Sequence, residues 1–302
     1  MELESVPEIL RIPPKLVEMI ERFNEIRYFL LEGGRGGGKS QTVGRFILYL
    51  ADKKSLRIIC GRETQVTIAE SSYTLLCDLI RKYNLNFEVS ATKIVSRATG
   101  STITFRGFIE RGVFSIQGIE GTDVLWIDEG QAISKRTLDT IIPTIRKQSA
   151  KIFFTLNRNL PNDPVYSAFI GRDDCLHISI QYSENPFCTE ALKKEAEECR
   201  RISEKDYRHI WLGEPTDQSE EAVFSVRDLE AARLLDFQMQ PGYGERVMGV
   251  DIARFGEDSN AVVILEQRSP LYWQMVHAQE WREQDLNFTT GKILEIINDF
   301  HV

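Results

Sequence analysis

Eight residues near the start of the chain, Gly33-Gly34-Arg35-Gly36-Gly37-Gly38-Lys39-Ser40, constrain the fold more than any other stretch. They fit the pattern G-x-x-x-x-G-K-[ST] at every defined position. Glycines let a backbone close around an anion with its N–H groups pointing inward. An apolar run at 28–31 precedes the loop, and a helical pattern from Lys39 or Ser40 through 46–50 succeeds it. The loop therefore joins a strand to a helix N-terminus, whose dipole favours negative charge. A merely flexible loop would explain the glycines, but not Lys-Ser at the correct offset or the flanking elements. The spacing predicts that Lys39 reaches the β- and γ-phosphates of ATP and that Ser40 holds Mg²⁺.

A second run, Val124-Leu125-Trp126-Ile127-Asp128-Glu129, is an apolar strand ending in two acids. Standing alone it would read as a strand capped by solvated carboxylates. Paired with the loop upstream, it predicts Asp128 beside the Mg²⁺ and Glu129 as the general base that polarises water. The strand at 56–60, which intervenes in sequence, points to the ATPases that place an extra strand between the two motifs. The next strand ends in Thr155-Leu156-Asn157. Ligands of open α/β sheets lie at the carboxyl ends of strands, so Asn157 is either a γ-phosphate sensor or a turn-initiating Asn. Hydrolysis also needs positive charge on the developing transition state. Arg35 offers it from within the loop, and Arg146 from the far side of a helix toward a neighbouring subunit. Arg62, two residues past the expected end of its strand, is a third candidate.

Strands alternating with helices predict a parallel sheet covered on both faces. Residues 64–83 have helical spacing, and 89–105 alternate like a hairpin turning at Thr99-Gly100. Residues 192–211 read as two polar helices broken near Ile202-Ser203. Gly213-Glu214-Pro215 and Pro241-Gly242-Tyr243-Gly244 punctuate the next stretch of chain. From 246 onward the pattern becomes strand, turn, strand, strand and helix. Three domains are expected: an ATPase core at 1–184, a lid and linker at 185–244, and the start of a further domain at 245–302. In that last part Asp251 ends an apolar strand and Asp258 lies across the next turn. Acids on adjacent strands can hold divalent metals for phosphodiester cleavage, but a two-metal site needs three or four of them.

The net charge of −8 argues against a uniformly polyanion-binding surface, although residues 57–111 carry eight Lys/Arg against five Asp/Glu. A local basic groove suffices for nucleic acid. Five cysteines, none in a C-x-x-C pair, argue against a disulfide framework or zinc site. There is no signal-peptide pattern and no apolar run of bilayer length. A soluble protein of a reducing cytoplasm is expected.

These phrases resemble the large terminase subunit of tailed phages and prophages. The matching runs are 32–40, Cys60-Gly61-Arg62-Glu63, Ile116-Gln117-Gly118-Ile119-Glu120-Gly121, Ile141-Ile142-Pro143-Thr144-Ile145-Arg146-Lys147, and Tyr207-Arg208-His209-Ile210-Trp211-Leu212-Gly213-Glu214-Pro215. The resemblance implies a P-loop ATPase core of the additional-strand, catalytic-glutamate type, followed by an RNase H-like nuclease domain. It implies that ATP hydrolysis drives double-stranded DNA into a procapsid. Gly33 to Ser40 and Asp128 would bind nucleotide. Glu129, Arg35, Arg146 and Asn157 would serve catalysis and coupling, with Arg146 acting in trans. Asp251 would be the first acid of a nuclease metal site. The implied partners are DNA, the portal protein, the small terminase subunit and further copies in a ring, within the cytoplasm of the infected or lysogenic host. The family's adenine-contacting segment falls at 23–28, without a distinctive glutamine. The chain stops before the later nuclease acids, so a truncated domain without cleavage activity is expected. A helicase-like nucleic-acid ATPase and a non-catalytic prophage remnant are the alternatives.

Overall fold

A computed structural model describes residues 7–64, 72–110, 113–114, 118–216, 244–253, 259–269, 272–282 and 285–302. Asp258 and most of the turn around it, residues 65–71, Ile116-Gln117 and the stretch 217–243 lie outside the described residues. The chain divides into two compact units, Met1–Leu229 and Glu230–Val302.

The first unit is built on a sheet of nine strands among the described residues. Its parallel centre contains β1 (Tyr28–Glu32), β2 (Arg57–Thr64), β7 (Val124–Asp128), β8 (Lys151–Leu156) and β9 (Cys175–Ser179). Two short strands, β3 (Phe87–Val89) and β4 (Lys93–Ser96), pair antiparallel at one edge beside β5 (Thr102–Glu110). The brief β6 (Val113–Phe114) pairs with β5. The sheet order is β3-β4-β5-β2-β7-β8-β1-β9.

Continuous apolar strands bury both faces of a sheet. Along β1, Phe29 and Leu31 join one core, while Tyr28 and Leu30 join the other. The first core packs under α1 (Val17–Glu21), α2 (Lys39–Lys53) and α3 (Thr74–Lys82). The second packs under α4 (Lys135–Thr144) and α5 (Pro164–Phe169). Two polar helices, α6 (Glu190–Ile202) and α7 (Glu204–Ile210), come after β9. Ser203 both ends α6 and caps α7, its side chain accepting from the Asp206 N–H.

Two expectations change. The strand seated between β1 and β7 is β8, whereas the strand that begins near 56 lies on the far side of β7. The extra strand exists, but the one that supplies it comes after both motifs, because neighbours in sequence need not be neighbours in a sheet. The strand expected at 56–60 also runs on to Thr64, the residue expected to open a helix. Gly61 lies inside β2, past the expected end of the strand. It is glycine because a side chain there would collide with the Phe108 ring.

The second unit is an antiparallel sheet of β10 (Arg246–Asp251), β11 (Asn260–Ser269) and β12 (Tyr272–Trp281), followed by α8 (Leu286–Phe300). Val262, Ile264, Trp281 and Ile296 form its core. No helix among the described residues is long and apolar enough to cross a membrane.

Candidate active site

The carboxyl ends of β1, β2, β7 and β8 converge on one group of charges. Asp128, the last residue of β7, is 6% exposed. Its Oδ1 accepts from Ser40 Oγ at 2.9 Å and from Thr155 Oγ1 at 2.7 Å. Its Oδ2 accepts from Arg62 Nη2 at 3.2 Å and from Ser72 Oγ at 3.3 Å. Thr155 is held in turn by Trp126 Nε1 at 3.0 Å. Buried polar groups need partners from within the protein, and here four donors supply them.

Arg62 is 7% exposed and bridges two acids, since its Nη1 also lies 2.9 Å from Glu129 Oε2. Glu129 leaves the strand with φ +55°, a left-handed backbone unusual for a non-glycine residue. Such conformations persist where the surroundings fix them, often at functional sites. The Glu129 side chain remains half exposed.

Lys39 opens α2 and folds back over the loop, donating to the carbonyls of Gly33 at 2.5 Å and Gly34 at 2.8 Å. Burial lowers its pKa to about 8, opposed by the negative charges of Asp128 and Glu32. The loop is also gripped from outside. The Arg35 N–H donates to the Ile210 carbonyl at 2.8 Å, just past which the chain turns over the loop. A Cβ at Gly34 would collide with the Trp211 carbonyl. Gly34 therefore serves this close approach of α7's end, a constraint that the spacing pattern does not contain.

Beside the loop is a cleft of about 610 Å³ lined by Arg11, Ile12, Pro13, the residues from Gly34 to Thr42, Arg45, Lys82, Asn185, Phe187, Cys188, Thr189 and Leu192. Residues 23–28, where the resemblance puts the adenine contacts, are not among its walls. Phe23 stacks with Phe29 and Phe153, and Tyr28 packs on Phe169, so both belong to the core. The walls come instead from 11–13 and 185–192, which no periodicity in the sequence marks.

The structure brings Gly33 to Ser40, Asp128, Glu129 and Arg62 together. Arg35 is exposed on the loop and lines the cleft. Asn157 comes directly after β8, where its Nδ2 donates to the His209 carbonyl in α7 at 3.4 Å. Arg146 is elsewhere. It lies 3.9 Å from Glu120, and its neighbours Ile145 and Lys147 contact Arg27 and Asp123, at the amino ends of β1 and β7. The basic stretch at 57–111 is not a row of open cations, since Arg81 pairs with Asp78 and Arg97 with Glu88, and Arg62 is buried. In the second unit Asp251 is exposed and lies opposite Ala261. Among the described residues, no group of three or more His, Cys, Asp or Glu could hold a metal.

A loop of this kind between β1 and α2, an acid-ended β7 and an intervening β8 define a P-loop ATPase of the additional-strand class. More particularly, the chain belongs to the phage terminase large subunit family, whose model matches residues 25–214. It is 27% identical over 253 residues to the terminase large subunit of Bacillus phage SPP1, an alignment covering 72% of this chain. The chain spans 57% of the length of that relative. Its fold is similar to the large terminase of a thermophilic bacteriophage, with TM-score 0.58 and 11% identity over 95% of this chain and 74% of that one. A structure of the same thermophilic-phage terminase in complex with ADP gives TM-score 0.57 at 12% identity, with the same coverage. The large terminase of bacteriophage HK97 gives 0.54 at 14% identity, over 91% of this chain and 70% of that one.

Proposed function

We propose that this chain is an ATP-driven motor subunit that moves double-stranded DNA into a procapsid, acting in a ring of copies on the portal with the small terminase subunit. The observation that carries the reading is the four-donor shell on Asp128, with Ser40 at 2.9 Å and Arg62 joining it to Glu129.

ATP occupies the cleft beside the loop, its phosphates on the N–H groups of 36–40 and its base toward Ile12, Pro13 and Phe187. The hard oxygens of Ser40 and Asp128, already in contact, suit Mg²⁺. When bound, that ion offsets charge on the β- and γ-phosphates. Lys39 leaves the loop carbonyls for the phosphates. Glu129 exchanges Arg62 for water and takes a proton as the water oxygen attacks the γ-phosphorus, and ADP departs with the bridging oxygen. Beside Lys39, Arg62 and Arg35 offer further positive charge to this chemistry. Arg146 serves only a neighbour's site, across a subunit interface.

Asn157 joins the end of β8 to α7, and α7's end holds the Arg35 N–H. Loss of the γ-phosphate therefore shifts the lid and linker at 185–244 relative to the core at 1–184, and so pulls on DNA. Residues 245–302, with Asp251 as one acid, belong to a nuclease-type domain in this reading. The site of action is the cytoplasm of the infected or lysogenic bacterium.

DNA coupling is tested by phosphate release with and without linear duplex. Stimulation that fades as salt rises is expected of backbone contacts. Turnover indifferent to DNA at every salt concentration would refute the motor reading and leave a plain ATPase.

A further inference from the structure

We infer that Asn185 is a positioning residue that sets the peptide orientation of the phosphate loop; the inference rests on the reading of the cleft as an ATP site. A loop that cradles phosphates turns its N–H groups inward, which drives its carbonyls outward into protein. Buried carbonyls need donors. Gly36 has φ +81° and Gly38 has φ +82°, so neither has a side chain to resist rotation of the peptides around it. Asn185 supplies the restraint. Its Nδ2 donates to the Gly36 carbonyl at 2.7 Å.

Asn185 is itself fixed. It is 7% exposed, and its Oδ1 accepts from the Phe187 N–H at 3.0 Å. Its own N–H donates to the Tyr182 carbonyl at 3.2 Å, and its carbonyl accepts from the Cys188 N–H at 3.0 Å. The turn that carries it is tied to the chain's start by Lys15 and Glu184, 2.6 Å apart. The amide thus projects from a braced turn onto the one loop carbonyl it holds. Without that donor the Gly36–Gly37 peptide rotates, removing an N–H from the phosphates and presenting an oxygen to them. Asn185 lies 149 positions beyond Gly36, and no phosphate-loop pattern includes it.

Asn185→Ser separates this role from a purely structural one. Serine still accepts from Phe187 but cannot reach Gly36. The test measures binding of ATP, ADP and adenosine, together with turnover and thermal unfolding. ATP and ADP are expected to weaken about ten-fold, the scale of one hydrogen bond to a charged group. Adenosine, which lacks phosphates, keeps its affinity. KM rises while kcat at saturation and the unfolding midpoint stay near wild type. Asn185→Asp, which has the same shape but no donor, should repeat the split at raised salt, where its added charge is screened. Equal weakening of ADP and adenosine, or unchanged ADP binding in both variants, overturns the positioning role alone. A wild-type protein that binds none of the three overturns the ATP reading as well.

Discussion

The two ends of the central sheet are both rich in charge, yet they use it differently. At the amino ends, cations neutralise backbone. Arg27 donates to the carbonyls of Ile145 at 2.8 Å and Lys147 at 2.9 Å, and Lys151 donates to those of Asn24 and Ile26. Asp123 meets Lys147 at 2.8 Å in partly exposed surroundings. These contacts close the end of α4 and the start of the strands. At the carboxyl ends Asp128 and Arg62 are buried and share partners, since Asp128 takes four donors among the described residues and Arg62 serves two acids. Buried charge is retained only with such compensation, and here it lies beside the phosphate loop. Shared, desolvated charge distinguishes the candidate site from the merely capped end.

Among the cations the largest effect should come from Lys39→Ala, which removes the ammonium beside the loop carbonyls. A loss of about 10²–10³-fold in kcat/KM for ATP is expected from steady-state kinetics. The titration of Lys39 offers a gentler test. With its pKa at about 8, the lysine is charged below that pH and neutral above it. ATP affinity should therefore hold below pH 8 and fall as pH rises through it, by at most about ten-fold per unit for one proton. Lys39→Arg, which stays charged, should flatten the profile. Arg62→Ala leaves a buried carboxylate without its cation, a loss of about 3 kcal/mol by denaturant unfolding.

The smallest effects should lie at the other end. Lys147→Ala removes a half-exposed pair worth less than about 1 kcal/mol, with turnover unchanged. Arg146→Ala should leave the turnover of isolated subunits untouched and lower it only when they assemble. A deficit in the isolated chain would break the distinction between the two ends.

Much of the candidate site is legible in the sequence because its residues obey local rules. Lysine and serine must follow the glycines at a fixed offset, and an acid must end an apolar strand. Arg62 is harder to see. Gly61 ahead of it and Glu63 after it resemble a strand's end, and only the packing of Phe108 explains a glycine inside β2. Its sequence signals are its place just past an expected strand end and the phrase Cys60-Gly61-Arg62-Glu63. An additional strand is expected, but β8 rather than β2 supplies it, since sheet order depends on crossovers that periodicity does not encode. The cleft walls at 11–13 and 185–192 escape the sequence for a similar reason. They are brought to the loop by tertiary folding, and no repeat or motif marks them. The placement of Arg146 at the amino ends likewise follows from where α4 terminates, which the apolar spacing of 141–145 does not disclose.

Whether Glu129 is the base is tested most directly by phosphate release from the wild-type chain and from Glu129→Ala, measured side by side with Mg²⁺ and saturating ATP. The variant should bind nucleotide like wild type but release phosphate about 10²–10⁴-fold more slowly, the range for loss of a general base. Equal release by the two proteins would contradict the assignment, because the carboxylate that Arg62 holds would then have no part in the chemistry.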